Sequence, residues 1–383
     1  MSEVEVVPVR SRREQREFLN YPWKLYRDDP YWIPPLRRTQ REMTGFAPHP
    51  FYEAAEIQTF LARRNGATVG RIAAILNHAY NREFSSDPLG FFGFFESIDD
   101  PHVANGLFDA ARAWLAERGI DTIRGPANPS MNYECGLLID GFDSSPTFMM
   151  TYNPPYYAAL IENYGFRKSH DLLGFIGYMT QMPEVEERVS GIAEMCMERY
   201  GVSVRPMDRR RFEQDVELFL KLYNSSMVLT WGFVPISSSE MRHMASSLKM
   251  LLHPELAIIA EVDGKPAGVV LCLPDYNPRI KEIDGKLFPF GFLRLLSPRK
   301  DIRRVRVIAI SVLPEYQRVG VGLVLMNALV PAARELNIEE AEFSYVAESN
   351  DLARLGLEKG GARLYKTWRM YDLRPEQLGI AAR

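Results

Sequence analysis

The stretch Ile308-Ala309-Ile310-Ser311-Val312-Leu313-Pro314-Glu315-Tyr316-Gln317-Arg318-Val319-Gly320-Val321-Gly322-Leu323-Val324-Leu325 reads as a strand, a turn and the start of a helix. Its first five residues suit a buried strand, Pro314 marks a turn, and the apolar residues after Gly320 fall at helical spacing. Such a junction leaves main-chain N–H groups without partners at the start of a helix. With the helix dipole they suit a pyrophosphate. Gly320 and Gly322 permit tight curvature and keep side chains out of the way. Arg318 adds a cation able to make a charge-assisted contact. No Lys-Ser or Lys-Thr follows, and the three-glycine dinucleotide fingerprint is absent.

Outward from this stretch, residues 202–205, 256–262, 266–273, 340–346 and 362–371 read as strands. Residues 211–223, 241–248, 322–336 and 351–359 read as helices. Asp263-Gly264 signals a hairpin. The first half repeats the order: strands at 4–9, 56–64, 68–76, 89–95, 120–124 and 166–178, helices at 103–117 and 156–163, and a hairpin at Asn65-Gly66. Ser11 caps a helix running toward Leu19, and the prolines of 21–36 forbid a long regular element there. Pro331 should kink or shorten the helix it sits in. The fold class expected is α/β (α+β), with two related units. The boundaries expected are a first domain at 1–180, a linker helix at 181–201, a second domain at 202–373 and a tail at 374–383.

Gln317-Arg318-Val319-Gly320-Val321-Gly322 resembles the Q/R-x-x-G-x-G/A signature of the GCN5-related N-acetyltransferase (GNAT) superfamily, and Val312–Tyr316 resembles its usual lead-in. The likeness is close over 308–362 and looser over 202–371. It implies two GNAT-like domains, each a mixed, mostly antiparallel sheet flanked by helices. It also implies acetyl-CoA or another acyl-CoA bound where two central strands splay, and direct transfer to an amine. The contacts implied are the backbone at Ile310 and Val312, the cradle Gln317, Arg318, Val319, Gly320, Val321 and Gly322, and Asn350 and Ala353, which resemble the Asn-x-x-Ala opening of a later helix. Tyr157–Phe166 makes the first half resemble a degenerate copy. Its cradle position holds Glu96, Asp99 and Asp100, which would repel a pyrophosphate, so no CoA is expected there.

Amine acylation needs a proton acceptor and a group that protonates the leaving thiolate. Glu348 is the first candidate acceptor and Glu342 the second. Glu342 and Ser344 share a strand face by period two, and Tyr345 is a candidate donor. In many members of the superfamily a tyrosine lies seven residues after the asparagine; here Leu357 stands there. Asn350 also suits a helix N-cap. Trp231 and Phe233 lie in a region that borders the acceptor in the superfamily. Asn128, Asn132 and Tyr133 are candidates for a facing wall.

The 383 residues carry 46 Lys plus Arg against 49 Asp plus Glu, for a formal net charge of −3. That balance demands neither nucleic acid nor anionic lipid, though local patches could still be basic. Cys135, Cys196 and Cys272 are scattered and fit no metal site or disulfide framework. The polar start and the lack of a long apolar run point to a cytoplasmic protein without an integral membrane contact. Residues 279–306 form a basic and apolar insertion open to four roles: covering a long acyl chain, meeting a membrane surface, joining subunits, or serving only as a lid packed on its own domain. The sequence thus predicts an N-acyltransferase, acetyl-CoA dependent, acting on a small-molecule amine or a protein lysine, with an oligomer possible. The rivals are a non-catalytic CoA-binding or ligand-sensing module and a structural or nucleic-acid partner protein.

Overall fold

A computed structural model describes residues 3–228, 230–298 and 301–378. Contacts divide the chain into two units. One holds Met1–Leu172, Pro278–Gly291 and Lys366–Arg383; the other holds Leu173–Asn277 and Phe292–Tyr365.

The first unit begins with β1 (Glu5–Pro8), α1 (Arg12–Leu25), α2 (Arg37–Met43), β2 (Ala55–Arg64), β3 (Ala67–Asn77) and α3 (His78–Glu83). There follow β4 (Gly90–Ser97), α4 (Pro101–Ala116), β5 (Ile123–Gly125), β6 (Ala127–Asn128), β7 (Glu134–Cys135), β8 (Leu137–Asp140) and α5 (Tyr157–Tyr164). Strands β1 to β4 pair antiparallel in order, and β5 joins β4 in parallel after the α4 crossover. The β2–β3 turn has φ +52° at Asn65 and +76° at Gly66, as a two-residue hairpin loop requires. Ile72, Phe92, Leu107, Phe108 and Phe166 fill the core.

β9 (Arg167–Tyr178) leads into the second unit, which contains α6 (Met182–Tyr200), β10 (Val202–Pro206), α7 (Phe212–Ser226), α8 (Ser238–Leu248), β11 (Ala257–Val262) and β12 (Lys265–Pro274). The short helices α9 (Asn277–Glu282) and α10 (Gly291–Leu296) precede β13 (Arg304–Val312), α11 (Val321–Glu335), β14 (Glu340–Ala347) and α12 (Asp351–Lys359). β10 to β13 pair antiparallel in order, and β14 joins β13 in parallel after the α11 crossover. The β11–β12 loop repeats the first hairpin, with φ +48° at Asp263 and +73° at Gly264. The repeated order expected from sequence is therefore a repeated topology.

The last strand, β15 (Arg363–Leu373), returns its later residues to the first unit. There Tyr371 lies opposite Gly125 and Arg369 opposite Leu137. Tyr371 and Leu373 join the first core. Arg124 and Asp372 form a buried two-pronged pair at 2.7 and 2.8 Å.

Two local expectations change. α1 runs through Pro22 to Leu25, six residues past Leu19. Buried Phe18 and Tyr21 hold that turn, and the Tyr21 hydroxyl donates to Val69 O at 2.5 Å. Burial and this bond outweigh the lost helix bond at the proline. Likewise α11 passes Pro331 and ends at Glu335, so the proline does not shorten it; Leu329, Val330 and Ala332 are buried around it.

Removing one partner of a buried ion pair strands the other charge. Asp372→Ala should therefore lower unfolding stability by about 3–5 kcal/mol. The double change Arg124→Met with Asp372→Leu should recover most of the loss in urea denaturation.

Candidate functional site

The ladder between β13 and β14 is short. It pairs Arg304 with Glu340, Val305 with Ala341, Arg306 with Glu342 and Val307 with Phe343. β13 then continues to Val312 and β14 to Ala347, with no further pairs between them among the described residues. β13 stays fixed on its other edge, where Val312 lies opposite Gly268, and its register with β12 slips beside Ile308. The two strands thus form a wedge. Ile310 is 39% exposed on its open side, while Val312 is buried.

A 3-10 turn over Pro314–Val319 follows β13. Gln317 Nε2 donates to Val312 O at 3.2 Å, tying the turn to the strand end. Gly320 has φ +84°, and its carbonyl accepts from Leu323 N and Val324 N at 3.0 and 3.1 Å. The amides that open α11 lie ahead of these bonds and have no turn of their own helix to donate into. A Cβ at Gly320 would come within 2.5 Å of Cys196 Sγ, whereas at Gly322 the nearest neighbour would be Val312 Cγ2 at 3.8 Å. Gly320 is thus required by both conformation and packing against α6. Gly322 leaves open space. Val319 is half-buried, Val321 is fully buried in the core and Arg318 is exposed. These features fit an acyl-CoA: a clear helix start beside an open strand edge.

At the base of the wedge sits a polar cluster. Glu342 is fully buried. Ser344 Oγ donates to Glu342 Oε1 at 2.6 Å, and the Tyr365 hydroxyl donates to Glu342 Oε2. Arg306, also buried, donates from Nε to Ser344 Oγ at 3.0 Å and from Nη2 to Ser344 O at 3.1 Å. Its guanidinium lies 5.7 Å from the Tyr345 ring. Glu342 and Ser344 share a face, as their spacing requires. Sequence reasoning missed Arg306 and Tyr365. For Arg306 the available signal was a cation set between Val305 and Val307.

Glu348 lies in the turn after β14, where Asn350 N donates to Ala347 O at 2.9 Å. Asn350 caps α12: its Oδ1 accepts from Ala353 N at 3.1 Å. Leu357 packs in an apolar cluster with Leu173, Phe175 and Val346. Phe233 is buried edge-on to Tyr223, with ring centroids 5.6 Å apart, and Trp231 is half-buried. Asn224 brackets their turn, exchanging two bonds with the Ile236 main chain at 3.0 Å each.

The first unit fills the equivalent places with itself. β4 and β5 also part after two pairs. Phe94 N there donates to Asn128 Oδ1 at 2.6 Å, and a Cβ at Gly93 would come within 1.8 Å of Ala127 O. Asp100 caps α4 through His102 N at 2.8 Å and pairs with Arg64 at 2.6 Å. Glu96 turns inward to the Tyr26 and Tyr157 hydroxyls at 2.7 and 2.8 Å. Burial raises its pKa above the usual carboxylate range despite Arg71 alongside. Glu96 and Asp100 are therefore occupied by internal partners, while Asp99 stays exposed. Asn132 N donates to Ser130 Oγ, and Tyr133 lies edge-on to His49 and Phe51.

The Acetyltransferase (GNAT) family matches residues 219–357. Protein YghO of Escherichia coli (strain K12) is 35% identical over 371 residues, covering 94% of this chain and 93% of that protein. Bacterial ceramide synthase of Caulobacter vibrioides is 34% identical over 380 residues, covering 97% of each. The fold is similar to that of a tandem GNAT protein from the clavulanic acid biosynthesis pathway, with a TM-score of 0.57 at 12% identity over 97% of this chain and 98% of that one.

The two cradle glycines should behave differently. Gly320→Ala faces about 1–2 kcal/mol of left-handed strain plus displacement of Cys196. Gly322→Ala should stay within about 1 kcal/mol of the parent, since it adds a good helix former in open space. Denaturant midpoints of the two variants check this.

Proposed function

Because this chain belongs to the GCN5-related N-acetyltransferase superfamily, we propose that it transfers an acyl group from acyl-CoA directly to a primary amine. It is a tandem-domain member, with one domain carrying the superfamily motif and one more divergent. The observation that carries the reading is the wedge of β13 and β14 opening beside the Gly320–Gly322 helix start. The opening amides of α11 and Arg318 are the groups to hold the pyrophosphate, and the free edge of β13 at Ile310 and Val312 the group to hold the pantetheine arm.

In the reaction the amine nitrogen attacks the thioester carbonyl. The amide C–N bond forms, the C–S bond breaks, and CoA leaves as its thiol. We assign Glu342 as acceptor of the amine proton, with Ser344 and Tyr365 orienting it and Arg306 fixing Ser344. Glu348, in the turn beyond β14, is the alternative acceptor. Leu357 supplies no acid, so the thiolate takes its proton from Tyr345 or water. Acetyl is the usual group of the superfamily. The relative named a ceramide synthase is alike over nearly its whole length, which favours a fatty acyl group and a long-chain amino alcohol here. Trp231 and Phe233 remain the proposed acceptor contacts of the second unit.

Thiol release should be followed with acetyl-CoA and palmitoyl-CoA against sphinganine, small amines and a lysine peptide. The expected result is turnover with sphinganine and the long acyl chain. Turnover only with acetyl-CoA and a small amine or peptide would replace the lipid acceptor. Tight CoA binding without turnover would favour the ligand-sensing reading that Leu357 motivates. Glu342→Gln should lower kcat by about 100-fold or more with CoA affinity nearly unchanged, whereas Glu348→Gln should keep most activity. The reverse pattern would move the base to Glu348.

A further inference from the structure

The sequence from Lys286 to Lys300, Lys-Leu-Phe-Pro-Phe-Gly-Phe-Leu-Arg-Leu-Leu-Ser-Pro-Arg-Lys, holds seven large apolar residues and four cations with no anion. Arg299 and Lys300 lie outside the described residues and enter only as charges in the sequence. A segment of this kind normally turns its apolar side chains inward. Here five of them are exposed within nine consecutive residues: Phe288 by 70%, Phe290 by 73%, Phe292 by 37%, Leu293 by 55% and Leu296 by 40%. Leu295 is buried and anchors α10. Asp284 takes up Lys286 at 3.0 Å and Asp301 takes up Arg294 at 2.8 Å. Counting both, the stretch from 284 to 301 keeps two more cations than anions in a chain of net charge −3.

The base of the segment is held firmly. Asp284 accepts from Trp23 Nε1 at 2.5 Å and pairs with Arg37 at 3.0 Å, and Arg37 N donates to Gly285 O at 3.0 Å. Exposed aromatics and leucines on an anchored segment with an excess of cations match the interface of an anionic bilayer, where rings and leucines enter the acyl boundary and cations meet headgroups. No helix among the described residues is long and apolar enough to cross a membrane. We infer that residues 286–297 seat this protein on the surface of an anionic lipid bilayer. This goes beyond the acyl-transfer reading and does not require it.

Vesicle flotation of the full chain without substrate tests the inference, using phosphatidylcholine alone and an equimolar mixture with phosphatidylglycerol. Flotation should be about tenfold stronger with the anionic vesicles and should weaken with salt. The triple change Phe288→Ser, Phe290→Ser, Leu293→Ser should abolish it while leaving CoA affinity unchanged. No flotation of the parent, or equal flotation of the triple variant, overturns the inference. So does a parent that fails to float but loses self-association in sedimentation when the triple change is made, because the segment would then join copies of the chain. Phe290→Trp gives an independent reading should the triple variant misfold. Its emission should shift to the blue with anionic vesicles, and an unmoved spectrum counts against the inference.

Discussion

A strand that leaves its neighbour exposes a row of main-chain donors and acceptors, and such groups must find partners. β13 does this beyond Val307. Both arms of the wedge are consequently held by other things. β12 fixes the far edge of β13, and Gln317 ties the following turn to Val312. Val321, Val324 and Leu325 pack α11 into the core with Ala193 and Cys196 of α6. On the other arm, Val346 packs with Leu173 and Phe175. Along the ladder Arg304 meets Glu340 at the far end, and near the vertex Arg306 meets Ser344. The opening is kept by rigid surroundings, which is what a site for an extended, flexible ligand needs.

The first unit shows the same topology with the place between its parting strands filled by the chain itself. Its strands also part, but Asn128 satisfies Phe94 and the chain at Ala127 comes so close that only glycine fits at position 93. Asp100 occupies the start of α4. Glycine has opposite uses in the two copies. At Gly93 the missing side chain lets main chain close the gap. At Gly322 an added side-chain carbon would meet only Val312, at an ordinary contact distance. The divergence between the units is therefore a matter of which groups satisfy the freed backbone rather than of fold.

Much of this was legible along the chain. Period and turn chemistry mark strands, helices and both hairpins, since Asn65-Gly66 and Asp263-Gly264 suit positive φ. The strand, turn and helix of 304–335 were legible because their residues are contiguous. The path of α1 through Pro22 was not, because burial of Phe18 and Tyr21 decides it and burial is a tertiary fact. Nor was the return of β15 to the first unit, which rests on Arg124 finding Asp372 across 248 positions. Asn128, Asn132 and Tyr133 could be named as candidates for a facing wall but their partners could not: Asn128 accepts from Phe94 N, a donor that only the folded chain supplies.

The chemistry of the wedge was the least legible part, for a related reason. Glu342, Ser344, Arg306 and Tyr365 come from three strands, and no local pattern joins them. In the fold they form one connected cluster at the last rungs of the β13–β14 ladder. Burying such groups is costly unless each is bonded. A carboxylate fixed by two hydroxyls, with a guanidinium holding one of them, meets that condition. A core need alone would be met more cheaply by apolar side chains of similar volume. The cluster sits where pairing ends and the open edge begins, so its bonds also fix the point at which the two strands part.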